Sequence, residues 1–290
     1  SRFDQHVSAE ALEWEHSVYE ACFYPADRKK LRRLLQWQVN NRGTARASDG
    51  HIKYKVRGCR MSGDMNTALG NCLLMCAMVW TYLRTRGVVG SLANNGDDCV
   101  VIMERRDLPK FTAGLTEWFL AMGFTMKVEP PVDIFEKIEF CQTHPIWHPD
   151  GWLMCRDGLT AMAKDCHTVL PLKEGRFAQG WATAIGECGL ALSGGVPIFQ
   201  AFYSRLLLAG GGVHMGKHPA LESGFARLSS GMQRRVRPVV DATRVSFWEA
   251  FGILPSEQER FERMLADTTI DLDTVLQRET TQDHTFLIAA

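Results

Sequence analysis

The stretch "SLANNGDDCVVIM" (Ser91–Met103) sets two adjacent aspartates, preceded by a glycine, between two apolar runs. The runs read as strands and the acidic segment as the turn that joins them, a β-hairpin over residues 90–104 with Asp97 and Asp98 at its tip. Side-by-side carboxylates repel each other, and a turn needs one aspartate at most. Either the pair is simply solvated at a loop, or something strongly cationic sits between the two charges. An acidic tip can hold divalent cations because the strands fix it while the loop exposes it. Two metals roughly 4 Å apart can stabilise both the attacking and the leaving oxygen of a phosphoryl transfer. The tripeptide alone is common and leaves both readings open.

Composition narrows the field. The chain has 290 residues, 46% hydrophobic and 23% charged, an ordinary globular mix and not a disordered one. Lys plus Arg and Asp plus Glu balance at 33 each, so a nucleic-acid partner would have to be met by local patches. No run approaches the roughly 18 apolar residues of a membrane span, and no secretory signal opens the chain. The nine cysteines include no CxxC pair, and several lie in apolar runs. They read as reduced, buried small hydrophobes in a cytosolic setting, without the spacing of a zinc site.

Outward from the hairpin, the residues from Val7 to Phe23 have helical spacing with Ser8 as a candidate N-cap. "DRKKLRRLLQWQVNNRGTARASDG" reads as a short helix and a loop, and "HIKYKVRG" as a strand with one positive face. "RMSGDMNTALGNCLLMCAMVWTYLRTRG" predicts a long helix ending at Gly87, apolar around much of its circumference and therefore buried. After the hairpin, "LPKFTAGLTEWFLAMGF" predicts an amphipathic helix with Pro109 near its start, "TMKVE" a strand, and "FEKIEFCQTHPIW" a short strand and turn. Alternating elements up to residue 148 imply an α+β unit around an antiparallel sheet. Beyond Trp152, Gly- and Pro-broken segments read as mainly helical.

Polar residues elsewhere sharpen the reading of the tip. Asp4 lies at a strand-to-helix junction, where an aspartate also serves as a plain helix cap. Ser62 and Gly63 precede a helix whose Thr67 and Asn71 lie four apart on one face. Buried, such residues must find hydrogen-bond partners, although a cap and a structural Asn would satisfy the same pattern.

Together these stretches resemble the palm of a viral RNA-dependent RNA polymerase of the tombusvirus-like group, carmoviruses and their relatives. "SRFDQHVS" looks like the latter part of motif A, "GCRMSGDMNTALGN" motif B, "ANNGDDCVV" motif C, "MGFTMKVE" motif D and "FEKIEFCQTHPIW" motif E. The resemblance implies a palm over residues 1–148, with an antiparallel sheet, flanking helices and a fingers-type insertion around 24–57. A mainly helical thumb would occupy 149–290. It further implies RNA-templated RNA synthesis for viral genome replication by two-metal nucleotidyl transfer. Asp97 would be a ligand of two Mg²⁺ (or Mn²⁺) ions and Asp98 a second or outer ligand, which explains the paired charges. Asp4 would sit near the ribose 2′-hydroxyl of the incoming nucleotide, in a network with Asn71, Ser62 and Thr67, and Gly63 would let the loop bend. Lys127 would give a proton to the leaving pyrophosphate, unless it is a solvent-facing strand lysine. Cys141 would help seat the primer end, unless it is an ordinary buried cysteine.

The basic residues between the first two motifs are Lys29, Lys30, Arg32, Arg33, Arg42, Arg46, Lys53, Lys55, Arg57 and Arg60. They would meet phosphates of template or nucleotide, although part of the run from Lys29 to Arg33 reads as a solvated face. "RRVRP" (Arg234–Pro238) is a weaker second patch. The implied partners are an RNA template and nascent strand, ribonucleoside triphosphates, other viral replication proteins and host factors. The expected setting is host cytoplasm, at membrane-associated replication sites reached through other parts of the protein. The first motif A aspartate would fall just before Ser1, so the chain is expected to be a portion of the enzyme, inactive alone. A reverse transcriptase, a non-catalytic RNA-binding protein and a metal-dependent phosphohydrolase are the rival readings. The Ser-Gly-x-x-x-Thr-x-x-x-Asn helix argues against the first, the gathered acids against the second, and the lack of a HxH or HxD cluster against the third.

Overall fold

The computed structural model describes residues 2–168, 175–214, 224–232 and 236–272, which fold as helices and antiparallel hairpins, an α+β arrangement. Two compact units divide at Pro131/Val132.

In the first unit, α1 (Phe3–His6) leads into α2 (Ala9–Ala21), and the Ser8 hydroxyl caps α2 by accepting from the Ala11 amide at 3.2 Å. Pro25 opens α3 (Pro25–Val39), which runs longer than the short helix expected. The expected loop is a strand, β1 (Asn40–Ala47), paired with β2 (Gly50–Arg57). Its Asn, Gly and Ala residues are poor strand formers, so the partner strand and not propensity decides their state. At Gly43 the Tyr54 ring lies where a side chain would be. Helix α4 (Thr67–Arg86) ends at Gly87 in the left-handed conformation, as expected. It buries one stripe, including Asn71, Leu74, Met75 and Tyr82, while Leu69 and Trp80 face outward, so its burial is narrower than its composition suggests.

β3 (Gly90–Asn95) and β4 (Asp98–Met103) form the expected hairpin, with Asn95 opposite Asp98. The next helix divides into α5 (Leu108–Thr112) and α6 (Leu115–Ala121), because Gly114 takes a φ of 69° between them. "TMKVE" forms no strand. It lies in an irregular stretch over residues 124–131, where Pro130 and Pro131 remove ladder donors and no neighbouring strand supplies partners. Val7, Leu12, Val39, Met75, Tyr82 and Phe119 centre the core of this unit.

The second unit carries β5 (Thr143–Ile146) paired with β6 (Leu153–Arg156), followed by helices: α7 (Gly158–Asp165), α8 (Gly175–Ser193), α9 (Phe199–Ala209), α10 (Gly224–Leu228), α11 (Asp241–Phe251) and α12 (Pro255–Asp267). The mainly helical expectation holds there. Ile146 and Cys155 are buried with Trp181, Tyr203 and Phe247, so the β5–β6 hairpin shares the helical core. The described strands form three separate two-stranded sheets, not the one antiparallel sheet expected. All nine cysteines are free, and only Cys155 and Cys188 are buried, so most are not the core hydrophobes expected. Among the described residues no helix is long and apolar enough to cross a membrane.

Candidate functional site

The site is built where three chain segments meet in the first unit. The loop after β2 is pinned along the chain start by backbone bonds, Arg60 N–H to Asp4 C=O at 2.9 Å and Cys59 N–H to Val7 C=O at 2.8 Å. This sets Ser62 and α4 beside Asp4. The Ser62 hydroxyl donates to Asp4 Oδ2, and the Asn71 amide donates to Asp4 Oδ1 at 2.7 Å. Gly63, at φ 100°, turns the intervening loop through a conformation that favours glycine.

The hairpin tip closes down on the same helix. Gly96 has φ 82°, the sign required at the first central position of a type II′ turn. A side chain there would also come within 3.1 Å of Asn71 Cβ, so glycine is needed for the approach as well as for the turn. Asn94 braces the tip, accepting from the Gly96 amide at 2.7 Å and donating to the Cys72 carbonyl at 3.0 Å. A cavity of about 460 Å³ results, lined by Asp4, Asp64, Thr67, Asn71, Gly96 and Asp97 among others.

Of the residues singled out from sequence, Asp97, Asp4, Thr67 and Asn71 thus share one wall. Asp98 begins β4, half-buried and outside that wall. Thr67 spends its hydroxyl proton on the loop, toward the Asp64 carbonyl at 2.8 Å, so it stiffens the loop more than it offers a donor to the cavity. Asp64 adds a carboxylate that received no role in the sequence reading. Among the described residues no three His, Cys, Asp or Glu side chains form a ready metal cluster. Asp97 and Asp98 nevertheless suit Mg²⁺: they are hard oxygen donors, and a site with one or two carboxylates is how that ion is commonly held, with water and phosphates completing the shell. Asp4, with each oxygen accepting a hydrogen bond, is better placed as an acceptor than as a ligand.

One expectation needs correction. Arg60 is not a surface cation for phosphate. Its side chain is fully buried with that of Glu15, and its Nε donates to Asn71 Oδ1 at 2.7 Å. Glu15 also accepts from Tyr19 at 2.7 Å and Asn66 at 2.9 Å, and Asn66 and His16 both reach Gln38. Burial and the bond to Glu15 push the Tyr19 hydroxyl up to about 12. Lys127 lies on the irregular stretch after α6, 89% exposed and bonded to Glu129 at 3.0 Å, and is not among the residues lining the cavity. Cys141 belongs to the second unit, where it and Gln142 take φ 54° and 59° in a tight turn bridging Phe140 and Thr143, the signs of a type I′ turn.

The remaining cations sort by register. Arg42 opposes Lys55, Thr44 opposes Lys53 and Arg46 opposes His51, so Arg42, Arg46, Lys53 and Lys55 share one exposed face of the β1–β2 ribbon with Arg57. Arg57 has acidic partners, Glu10 and Glu13, each at 3.4 Å. On α3, Arg32 pairs with Glu20 at 2.6 Å, in keeping with a solvated helix face. Arg234 and Arg235 lie outside the described residues, and Arg237 pairs with Asp150 at 3.1 Å.

Burial of His16 lowers its pKa from the ordinary 6.5, with Gln38 and Glu15 opposing the shift. The unfolded chain therefore takes up the proton more readily. The stability supplied by neutral His16 is present above pH 6.5 and is lost as pH falls from there through the folded value. Thermal unfolding between pH 8 and 5 should show this decline, and His16→Gln should flatten it. Parallel curves for the two proteins would assign the decline to other groups, among them His148, whose pKa is also lowered by burial.

The family model described as viral RNA dependent RNA polymerase matches residues 1–273. The chain is 46% identical over 283 residues to the RNA-directed RNA polymerase of Tobacco necrosis virus (strain A), covering 97% of this chain and 39% of that protein. It is 46% identical to the RNA-directed RNA polymerase of Cymbidium ringspot virus, over 94% of this chain and 33% of the relative. For that of Turnip crinkle virus the identity is 45%, over 90% and 34%. The chain therefore spans between a third and two-fifths of the length of these relatives. By the extent of the family match and the level of identity along nearly the whole chain, it belongs to the viral RNA-dependent RNA polymerase family.

Proposed function

We propose that this chain is the palm and thumb portion of a polymerase that copies RNA from an RNA template, using ribonucleoside triphosphates to replicate a viral genome. The palm is the site-bearing region up to residue 148, with residues 24–57 as a fingers-type insertion, and the helical remainder is the thumb. The observation that carries this reading is the cavity that Asp97 on the hairpin tip lines together with Asp4, itself held by Ser62 and Asn71. A solvated turn has no need of an ordered acceptor in the same cavity.

Asp97, with Asp98 as an outer partner, would hold the divalent ions, Mg²⁺ or Mn²⁺. Bound there, the ions would offset charge on the attacking and leaving oxygens of nucleotidyl transfer. Asp4 accepts hydrogen bonds only, so a ribose hydroxyl entering the cavity can donate to it, whereas deoxyribose offers nothing in that place. The basic face of the β1–β2 ribbon is suited to the phosphates of template or nascent strand. Other viral replication proteins and host factors are further partners, at membrane-associated sites in the host cytoplasm.

The test is RNA-templated incorporation by the full-length polymerase, comparing ribo- and deoxyribonucleotides with Asp4→Ala. The ratio of kcat/KM for the two substrates should fall by roughly a hundredfold or more, because a site built to bond a hydroxyl rejects its absence strongly. Equal losses on both substrates would remove Asp4 from sugar selection.

A further inference from the structure

Glu15 and Arg60 have no part in the chemistry proposed above, yet both are fully buried and joined to each other directly beneath Asn71. A guanidinium carries donors only. Its Nη1 and Nη2 go to the two oxygens of Glu15, and its Nε goes to Asn71 Oδ1 at 2.7 Å. That contact removes the usual freedom of an asparagine amide to exchange its two ends. Rotated by half a turn, Asn71 would set its NH₂ against the guanidinium and its carbonyl oxygen against the carboxylate of Asp4. Both contacts would then be repulsive. As it stands, the NH₂ points at Asp4 Oδ1 at 2.7 Å.

A second observation, independent of those bonds, shows that α4 is shaped to admit the pair. A Cβ at Gly70 would lie 2.6 Å from Arg60 Nη2 and closer still to Glu15 Oε1, so the helix carries no side chain at the point of crossing. Glu15 Oε1 also accepts from the Tyr19 hydroxyl and the Asn66 amide. Asn66 occupies the N-cap position of α4 but makes no cap with its side chain, which is engaged with Glu15 and Gln38.

We infer that the Glu15–Arg60 pair is a positioning device: it fixes the direction of the Asn71 amide and through it the carboxylate of Asp4, and so sets the preference for ribose over deoxyribose without touching substrate. The inference rests on the ribonucleotide reading given above. It places the origin of part of the selectivity in α2 and in the loop after β2, behind the cavity wall.

The experiment uses the full-length polymerase and measures kcat/KM for a ribonucleoside triphosphate and its 2′-deoxy counterpart. The informative variant is the charge-free double substitution Glu15→Gln with Arg60→Met. Its amide at position 15 can still accept from Tyr19 and Asn66, while the donor that orients Asn71 is gone. The ribose-to-deoxyribose ratio should fall roughly ten- to a hundredfold, the worth of one misdirected hydrogen bond to a charged group. Gly70→Ala keeps every charge and displaces the pair, and should move the ratio the same way, which secures the test if the double variant is unstable. A ratio unchanged in folded variants, with both rates lowered together, would show the pair to be merely structural and overturn the inference. Asp97→Ala separates the two levels of the reading. If it leaves synthesis intact, the polymerase site itself is misplaced and the inference falls with it. If it abolishes synthesis while the ratio in the other variants holds, the positioning role alone fails.

Discussion

Asp97→Ala in the full-length polymerase is expected to lower RNA-templated incorporation by at least roughly 10³-fold, the scale on which loss of a single stabiliser of transition-state charge is felt. Asp97 is exposed at the two-residue turn and lines the cavity, so alanine there disturbs little packing. Its effect on stability should stay within about 0.5 kcal/mol, as for surface substitutions away from special features. Loss of rate without loss of fold is thus the expected signature. Asp98→Ala should cost less, because that side chain starts β4 outside the cavity wall. The check is a primer-extension or de novo incorporation assay with Mg²⁺ titrated for each variant, beside thermal unfolding. Synthesis by the Asp97→Ala protein at near wild-type rate would mean that the hairpin tip does not hold the reacting phosphate.

What could be read from the chain beforehand follows how local each signal is. The hairpin tip is encoded within a dozen residues by alternation, a glycine and two acids. Helix α4 announces its end at Gly87, and α2 its start at Ser8. The strand β1 is not legible in the sequence, because its Asn, Gly and Ala residues carry no strand preference until β2 lies alongside. The converse case is "TMKVE", whose alternation shows which residues could share a face but not whether a partner exists. In the site, Asp4, Asn71 and Asp97 came from the resemblance, and the geometry brings them together. The fate of Arg60 did not, because its partner Glu15 is 45 residues away and a count of basic residues treats all cations alike. One local sign was present. Glu15 falls on the same helical stripe as Leu12 and Tyr19, where a carboxylate is out of place unless paired.

That misplaced carboxylate leads to the second large effect. Arg60→Ala should destabilise the protein by about 3–5 kcal/mol, the usual result of stranding one member of a buried ion pair. The loss is a large share of the roughly 5–15 kcal/mol that holds a domain together, and it should appear as a lower denaturant midpoint. Glu15 would be left with the Tyr19 hydroxyl and the Asn66 amide but no counter-charge, in a place where both original side chains have no exposure. Glu15→Ala should cost a similar amount for the mirror reason, since a guanidinium holding only Asn71 is equally uncompensated. Glu15→Gln with Arg60→Met should then be more stable than either single alanine variant, because neutral side chains of similar size avoid the desolvation of two ions. Such an order would separate the two tasks of the pair. Its net contribution to stability can be small even where its removal by halves is severe, which leaves the direction it imposes on Asn71 as the reason for burying two charges there. If Arg60→Ala cost less than about 1 kcal/mol, water would have to reach Glu15, and the amide of Asn71 would be free to turn.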